Sequence, residues 1–171
     1  MEVAELASRF GIQVKQLKRS KVEIQSDSLQ EIATFAAVGA CEAAGHPVVA
    51  EDAGFFVRAL GGFPGPYSSY VYKTIGTDGI LELLRNTEDR AAFFQAAVAY
   101  CRPRAHPLCF RGNVKGKVTR QAKGTQGFGF DPIFKPSKGD GRTFAQMNTA
   151  EKNRFSHRAK AFTGLFTWLR A

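Results

Sequence analysis

A chain of 171 residues, 44% hydrophobic and 12% aromatic, carries enough apolar side chains to build a core without staples, as one compact domain or as two lobes sharing a sheet. Its 24 Lys and Arg against 15 Asp and Glu leave a formal charge of +9, so an anionic partner (nucleotide, nucleic acid or acidic lipid) is expected over a cationic one, unless the charge serves solubility alone. Cys41, Cys101 and Cys109 are an odd set without C-x-x-C spacing, which argues against a disulfide scaffold and for a reducing, cytoplasmic setting.

The opening Met1-Glu2-Val3-Ala4-Glu5 lacks the basic and apolar regions of a signal peptide. Val3, Leu6, Ala7 and Phe10 recur at helical spacing and predict a short helix over residues 3–10, ended by Gly11. Ile12, Val14 and Leu17 alternate with polar residues and predict a half-buried strand. The basic run Lys15, Lys18, Arg19 and Lys21 suits its solvated edge, where lysine opposes pairing between sheets. Ser28-Leu29-Gln30-Glu31 has the form of a capping box and opens an alanine-rich helix to about Ala44, with Gly45 and Pro47 as its stop. Val48-Val49-Ala50 predicts a short strand whose carboxyl end carries Glu51 and Asp52, the position at which α/β proteins bind ligands.

The Gly- and Pro-rich residues 61–67 predict a rigid irregular loop, followed by a helix over 79–85. Residues 91–100 and 108–119 predict strands, the latter read as a pair joined through Gly112-Asn113; on periodicity alone 91–100 also fits a helix. The apolar stretch 91–101 is broken by Gln95 and too short to span a bilayer, so no membrane is expected. Residues 127–134 predict another strand or strand end, and Asn148-Thr149-Ala150-Glu151 is a second capping box. The class is α/β, and without repeats or linkers residues 1–171 form one domain.

Two segments carry residue types that packing alone does not require. Glu51 and Asp52, with Glu23 upstream, put three carboxylates near one point, where they repel unless a hard cation such as Mg²⁺ or shared protons offset them; the alternative is a turn signal after a strand. Phe128, Gly129 and Phe130 offer a stacking face for a base, worth ~1 to 3 kcal/mol, unless the two rings are alternate residues of one buried strand face. Lys152 and Arg158 have donors for base oxygens or phosphates, or else form a solvated basic helix surface. On one continuous helix these two would stand roughly 120° apart and about 9 Å along the axis, too divergent for one base. Joint use therefore requires a break near Arg154 or Phe155, with Ser156 capping a second helix to about Leu169 whose first turn presents His157 and Arg158 at a positive dipole end.

Glu51-Asp52-Ala53-Gly54, Gly62-Phe63-Pro64-Gly65-Pro66-Tyr67-Ser68, Gly127-Phe128-Gly129-Phe130-Asp131-Pro132-Ile133-Phe134, Thr143-Phe144-Ala145-Gln146-Met147 and Glu151-Lys152-Asn153 with Ser156-His157-Arg158 together resemble the inosine triphosphate pyrophosphatase family, in order along residues 2–169. The resemblance implies a long twisted mixed sheet flanked by helices, two lobes with a nucleotide cleft between them, and a homodimer. It implies Mg²⁺-dependent hydrolysis of the triphosphates of inosine, deoxyinosine and xanthosine to monophosphate and pyrophosphate. By the same resemblance Glu23 and Asp52 are metal ligands, and Asp52 is also the catalytic proton acceptor. Ala53 stands where many relatives place a substrate-touching serine. Phe128, Gly129, Phe130 and Asp131 match the segment that contacts the nucleoside, and Lys152, His157 and Arg158 match the residues that reach the base. The chemistry agrees: a 6-keto purine presents acceptors to Lys and Arg donors, whereas adenine presents an amino donor and leaves them unpaired.

The sequence departs from the family at its beginning. Relatives open on a strand and a Ser/Thr-x-Asn-x-x-Lys phosphate loop, while residues 1–11 here match the helix that follows it, so the domain is expected to be incomplete at its N-terminus and weakened in activity. Apolar residues near Ala36 also replace a frequent basic position. A catalytically silent nucleotide- or nucleic-acid-binding relative is the alternative, although a basic cluster confined to residues 15–21 without interleaved aromatics argues against specific nucleic-acid binding.

Overall fold

A computed structural model describes residues 2–18, 22 and 24–171, so Glu23 and the Arg19 and Lys21 of the basic run lie outside the described residues. The expected first helix forms as α1 (Glu2–Arg9), and Gly11 follows it at φ 67°. Residues 12–18 form no strand. Ile12 and Val14 keep the alternation of half-buried and exposed positions, but no described strand pairs with them, and alternation without a partner's hydrogen bonds does not make a ladder.

Helix α2 (Leu29–Ala44) starts where Ser28 Oγ accepts from the Glu31 amide. Its box is not reciprocal as expected, because the Glu31 carboxylate accepts instead from Ser26 Oγ at 2.7 Å. Gly45 closes the helix in the left-handed conformation, donating to the Cys41 carbonyl. Strand β1 (Val48–Val57) runs straight through Glu51 and Asp52, so these acids lie mid-strand and not at its carboxyl end.

The expected irregular loop contains the two-residue strand β2 (Pro64–Gly65), which pairs antiparallel with β1 at Phe55 and Phe56. Ser68 fixes the corner, donating from Oγ to the Gly65 carbonyl at 2.6 Å and accepting from the Phe55 amide at 2.7 Å. That corner leads into α3 (Ser68–Thr74), which the sequence did not announce, and then α4 (Gly76–Leu83), which starts and ends a little earlier than expected. Strands β3 (Ala91–Cys101) and β4 (Leu108–Val118) form as expected, except that β4 is one strand without a turn at Gly112-Asn113. Residues 127–133 are turns ending in a 3-10 turn, Asp131–Ile133, and the strand β5 (Phe134–Pro136) starts only after them. Helix α5 (Thr149–Asn153) and helix α6 (His157–Arg170) are separate, with the break at residues 154–156 where it was expected.

The described residues form a five-stranded sheet ordered β2-β1-β3-β4-β5, with antiparallel pairing of β1 with β2 and of β4 with β5, and helices flank it as the α/β class requires. The chain divides into two compact units: Met1–Asp52, Ala96–Gly112 and His157–Ala171 in one, Ala53–Gln95 and Asn113–Ser156 in the other. In the first unit Phe10, just after α1, packs on Phe166 of α6, ring centroids 5.7 Å apart, and Trp168 lies beside Tyr100 and Phe110. Burial, with the Cys41 thiol close by, pushes the Cys101 thiol up, which keeps it protonated and unreactive; all three cysteines are free. No helix among the described residues is long and apolar enough to cross a membrane.

The second unit is built around phenylalanine. Phe55 is fully buried and lies 4.7 Å from Phe94, 5.1 Å from Phe130 and 5.9 Å from Phe134, in tilted, stacked and edge-on contacts. At its margin Arg90 closes the ends of α4 and β4, donating to the carbonyls of Leu84, Val118 and Thr119. Because one ring meets three others, Phe55→Ala should cost ~3 to 5 kcal/mol in urea unfolding. A loss below about 1 kcal/mol would show that this aromatic cluster is not what holds the unit together.

Candidate functional site

In the first unit, the middle of β1 and the first turn of α6 supply the charged groups. Arg158 Nε donates to Glu51 Oε1 at 2.6 Å, and both side chains are about four-fifths buried. Successive residues of a strand face opposite sides, so Asp52 does not share Glu51's surroundings. Glu51 is thus paired with Arg158. Asp52 and Ala53 are half-buried on the same strand, and His157 is buried at the start of α6. Among the described residues no three His, Cys, Asp or Glu side chains are grouped to hold a metal ion. Glu23, the other expected ligand, lies outside the described residues.

In the second unit, the expected stacking segment and Lys152 meet. The Lys152 side chain is 7% exposed, and its Nζ donates to Asp131 Oδ2 at 2.7 Å; Asp131 is 2% exposed and accepts also from the Phe128 amide at 2.9 Å. Gly127, at φ 76°, leaves room for this: a Cβ there would lie 2.1 Å from the same Asp131 oxygen. The carboxylate thus ties the turn to α5. Phe128 projects outward, 57% exposed, with the Lys152 ammonium 4.7 Å from its ring centroid. Phe130 does the opposite, 2% exposed and stacked on Phe55, so the two rings are neither a shared stacking face nor one buried strand face. Gly129 stands between them at φ 61°.

Helix α5 is short but firmly started. Asn148 accepts from the Glu151 amide at 2.9 Å and Glu151 returns the bond to the Asn148 amide at 2.8 Å, the reciprocal box expected from the sequence. Arg142 donates to the Glu151 carboxylate at 2.7 Å and holds it below the usual carboxylate range. A further box, unnoticed in the sequence although Thr143-x-x-Gln146 has its spacing, sets the 3-10 turn just before. The helix then stops: the amides of Phe155 and Ser156 both donate to the Lys152 carbonyl, and fully buried Ser156 leads directly into α6.

An exposed ring beside a buried lysine, whose charge Asp131 matches, suits an aromatic ligand that carries hydrogen-bond acceptors, on an α/β scaffold. The Ham1 family profile matches residues 1–168, and the chain belongs to that family. It is 45% identical over 167 residues to a dITP/XTP pyrophosphatase of Methanopyrus kandleri, covering 98% of this chain and 88% of the relative. It is 48% identical over 161 residues to a dITP/XTP pyrophosphatase of Thermococcus kodakarensis, covering 94% and 86%. Among solved structures, the Staphylococcus aureus Ham1 protein superposes with a TM-score of 0.82 at 32% identity over 90% of this chain and 81% of that one. A HAM1 protein from Coxiella burnetii gives 0.81 at 28% identity, over 99% and 93%.

Removing one member of a buried ion pair leaves the other uncompensated. Lys152→Met should therefore lower unfolding free energy by ~3 to 5 kcal/mol at neutral pH. An unchanged urea midpoint would mean that Asp131 does not depend on this ammonium.

Proposed function

We propose that this protein hydrolyses non-standard purine nucleoside triphosphates, those of inosine, deoxyinosine and xanthosine, to the monophosphate and pyrophosphate. The observation that carries the reading is the exposed Phe128 ring beside the buried Lys152 ammonium, in a chain nearly half identical to dITP/XTP pyrophosphatases. Phe128 stacks on the base, and Gly129 leaves the backbone open for the approach. Phe130 supports the segment from the core, and Asp131 holds Lys152 in place. Lys152, His157 and Arg158 are the donors read by the 6-keto purine; ATP, with its amino group, leaves buried donors unpaired at ~1 to 3 kcal/mol each. Ala53 adds no hydroxyl contact, in contrast with the serine common in the family.

Asp52 is the proton acceptor that orients and deprotonates the attacking water. It is also, with Glu23, the proposed ligand of Mg²⁺. The donor set fits, since Asp52 offers hard oxygen atoms and Mg²⁺ takes one or two carboxylates and completes its shell with phosphate and water. When bound, the ion offsets charge on the phosphates. Glu51 is not in this set, because Arg158 engages it. The reaction asks for positioning and charge, not for a nucleophilic Ser or Cys. We further propose that residues 1–171 work as one pyrophosphatase domain, since β1, β3 and β4 each contribute to both units. A homodimer and a cytoplasmic setting complete the reading, the latter in keeping with three free thiols.

A pyrophosphate-release assay with Mg²⁺ tests this. Deoxyinosine and xanthosine triphosphates should be cleaved at least tenfold better than ATP, and Asp52→Asn should lose about 100-fold or more while remaining folded. Equal turnover of ATP would overturn the selectivity. Nucleotide binding without turnover would identify a silent relative in place of an enzyme.

A further inference from the structure

Strand β4 alternates exposed and buried residues without interruption from Arg111 to Val118, and Gly112 lies on the buried face. Its backbone does not require glycine, for its φ is outside the left-handed region. What the position excludes is a side chain. A Cβ on Gly112 would lie 2.1 Å from the His157 carbonyl oxygen, 2.7 Å from the Ala161 amide nitrogen and 2.8 Å from Lys160 Cβ. Two of these three atoms are backbone, which no rotamer change can move aside. All belong to the first turn of α6, the turn that carries His157 and Arg158. Further along the same helix the fit is ordinary: a Cβ on Gly164 would meet the Phe110 ring at 3.4 Å.

The close approach of strand and helix is therefore concentrated where the proposed base donors begin. We infer that Gly112 is a positioning residue for base recognition: by lacking a Cβ, it sets how deeply the first turn of α6 seats on β4, and through that turn where Arg158 and His157 stand. The inference rests on the reading of those two residues as base contacts. Opening the contact from 2.1 Å to the 3.4 Å of ordinary packing requires a shift of about 1.3 Å. The 2.6 Å bond from Arg158 Nε to Glu51 Oε1 does not survive a displacement of that size, and misplacement by about 1 Å is enough to cost ~10²-fold in rate.

The test compares Gly112→Ala, Gly164→Ala and Arg158→Ala, measuring thermal unfolding, circular dichroism and kcat/KM for the triphosphates of deoxyinosine and deoxyadenosine. Gly112→Ala, folded, should lose about 10- to 100-fold in kcat/KM for the deoxyinosine substrate and little for the deoxyadenosine one, so that selectivity collapses. A purely structural lesion would lower both together. Gly164→Ala should keep the parent selectivity. If Arg158→Ala leaves selectivity intact, the reading of Arg158 as a base donor fails. If Arg158→Ala narrows selectivity and folded Gly112→Ala does not, the positioning role fails and that reading stands. Should Gly112→Ala not fold, Gly164→Leu, which presses the same helix off Phe110, decides: selectivity should fall in part, and an unchanged ratio overturns the inference. Failure of both to fold also overturns it, because the contact would then be architectural.

Discussion

A lysine ammonium with almost no solvent contact must be paired, and the pairing of Lys152 with Asp131 organises much of the second unit. The desolvation of both charges is offset by their pairing and by the Phe128 amide that donates to Asp131, so one carboxylate serves a cation and a turn at once. Gly127 must lack a side chain for the carboxylate to fit there. Phe130 must turn into the phenylalanine core so that Phe128 can turn out. Helix α5 needs two capping bonds and an arginine clamp because five residues would not otherwise hold a helix around a buried lysine. Each of these features, odd in isolation, follows from placing one ammonium beside one exposed ring.

The exposed ion pairs are of a different kind. Arg58 holds Asp89 below the usual carboxylate range, and Arg142 does the same for Asp140 and Glu151. Carboxylates depressed in the folded state stabilise above their unfolded values near pH ~4, and that contribution is lost as pH falls through the folded values. Because these groups are solvent-exposed, screening leaves the contribution small. Burial of the packed rings is the larger contribution to the fold's stability.

The capped helices α2 and α5 were legible in the sequence because their signals are local, whereas α3, which has no side-chain cap, was not. Ser28, Gly45 and Asn148 act within one turn of where they stand, and the break before α6 followed from helix geometry and the position of Ser156. Glycine misled in two places. Gly112-Asn113 reads as a turn, yet Gly112 is there to admit a helix from elsewhere in the chain, a reason no local pattern carries. The Phe128-Gly129-Phe130 alternation reads as a strand, yet the segment is a turn in which the buried Asp131 carboxylate accepts from the Phe128 amide, and the rings diverge. Residues 12–18 have the right alternation and no partner strand among the described residues, and a ladder is never the property of one segment. The candidate residues were named from the sequence by resemblance, whereas the pairings Glu51 with Arg158 and Asp131 with Lys152 span 107 and 21 positions, beyond the reach of any local pattern.

Strand parity explains how two adjacent acids serve without repelling each other. Had β1 ended at Ala50, Glu51 and Asp52 would share a loop and compete for the same surroundings. Because the strand continues to Val57, consecutive side chains alternate in direction and the two charges are separated by the pleat itself. Glu51 is then directed to Arg158 at the head of α6, on the side of the strand opposite to Asp52. Two acids adjacent in sequence can thus have separate surroundings, with the continuity of hydrogen bonding along one strand keeping them apart.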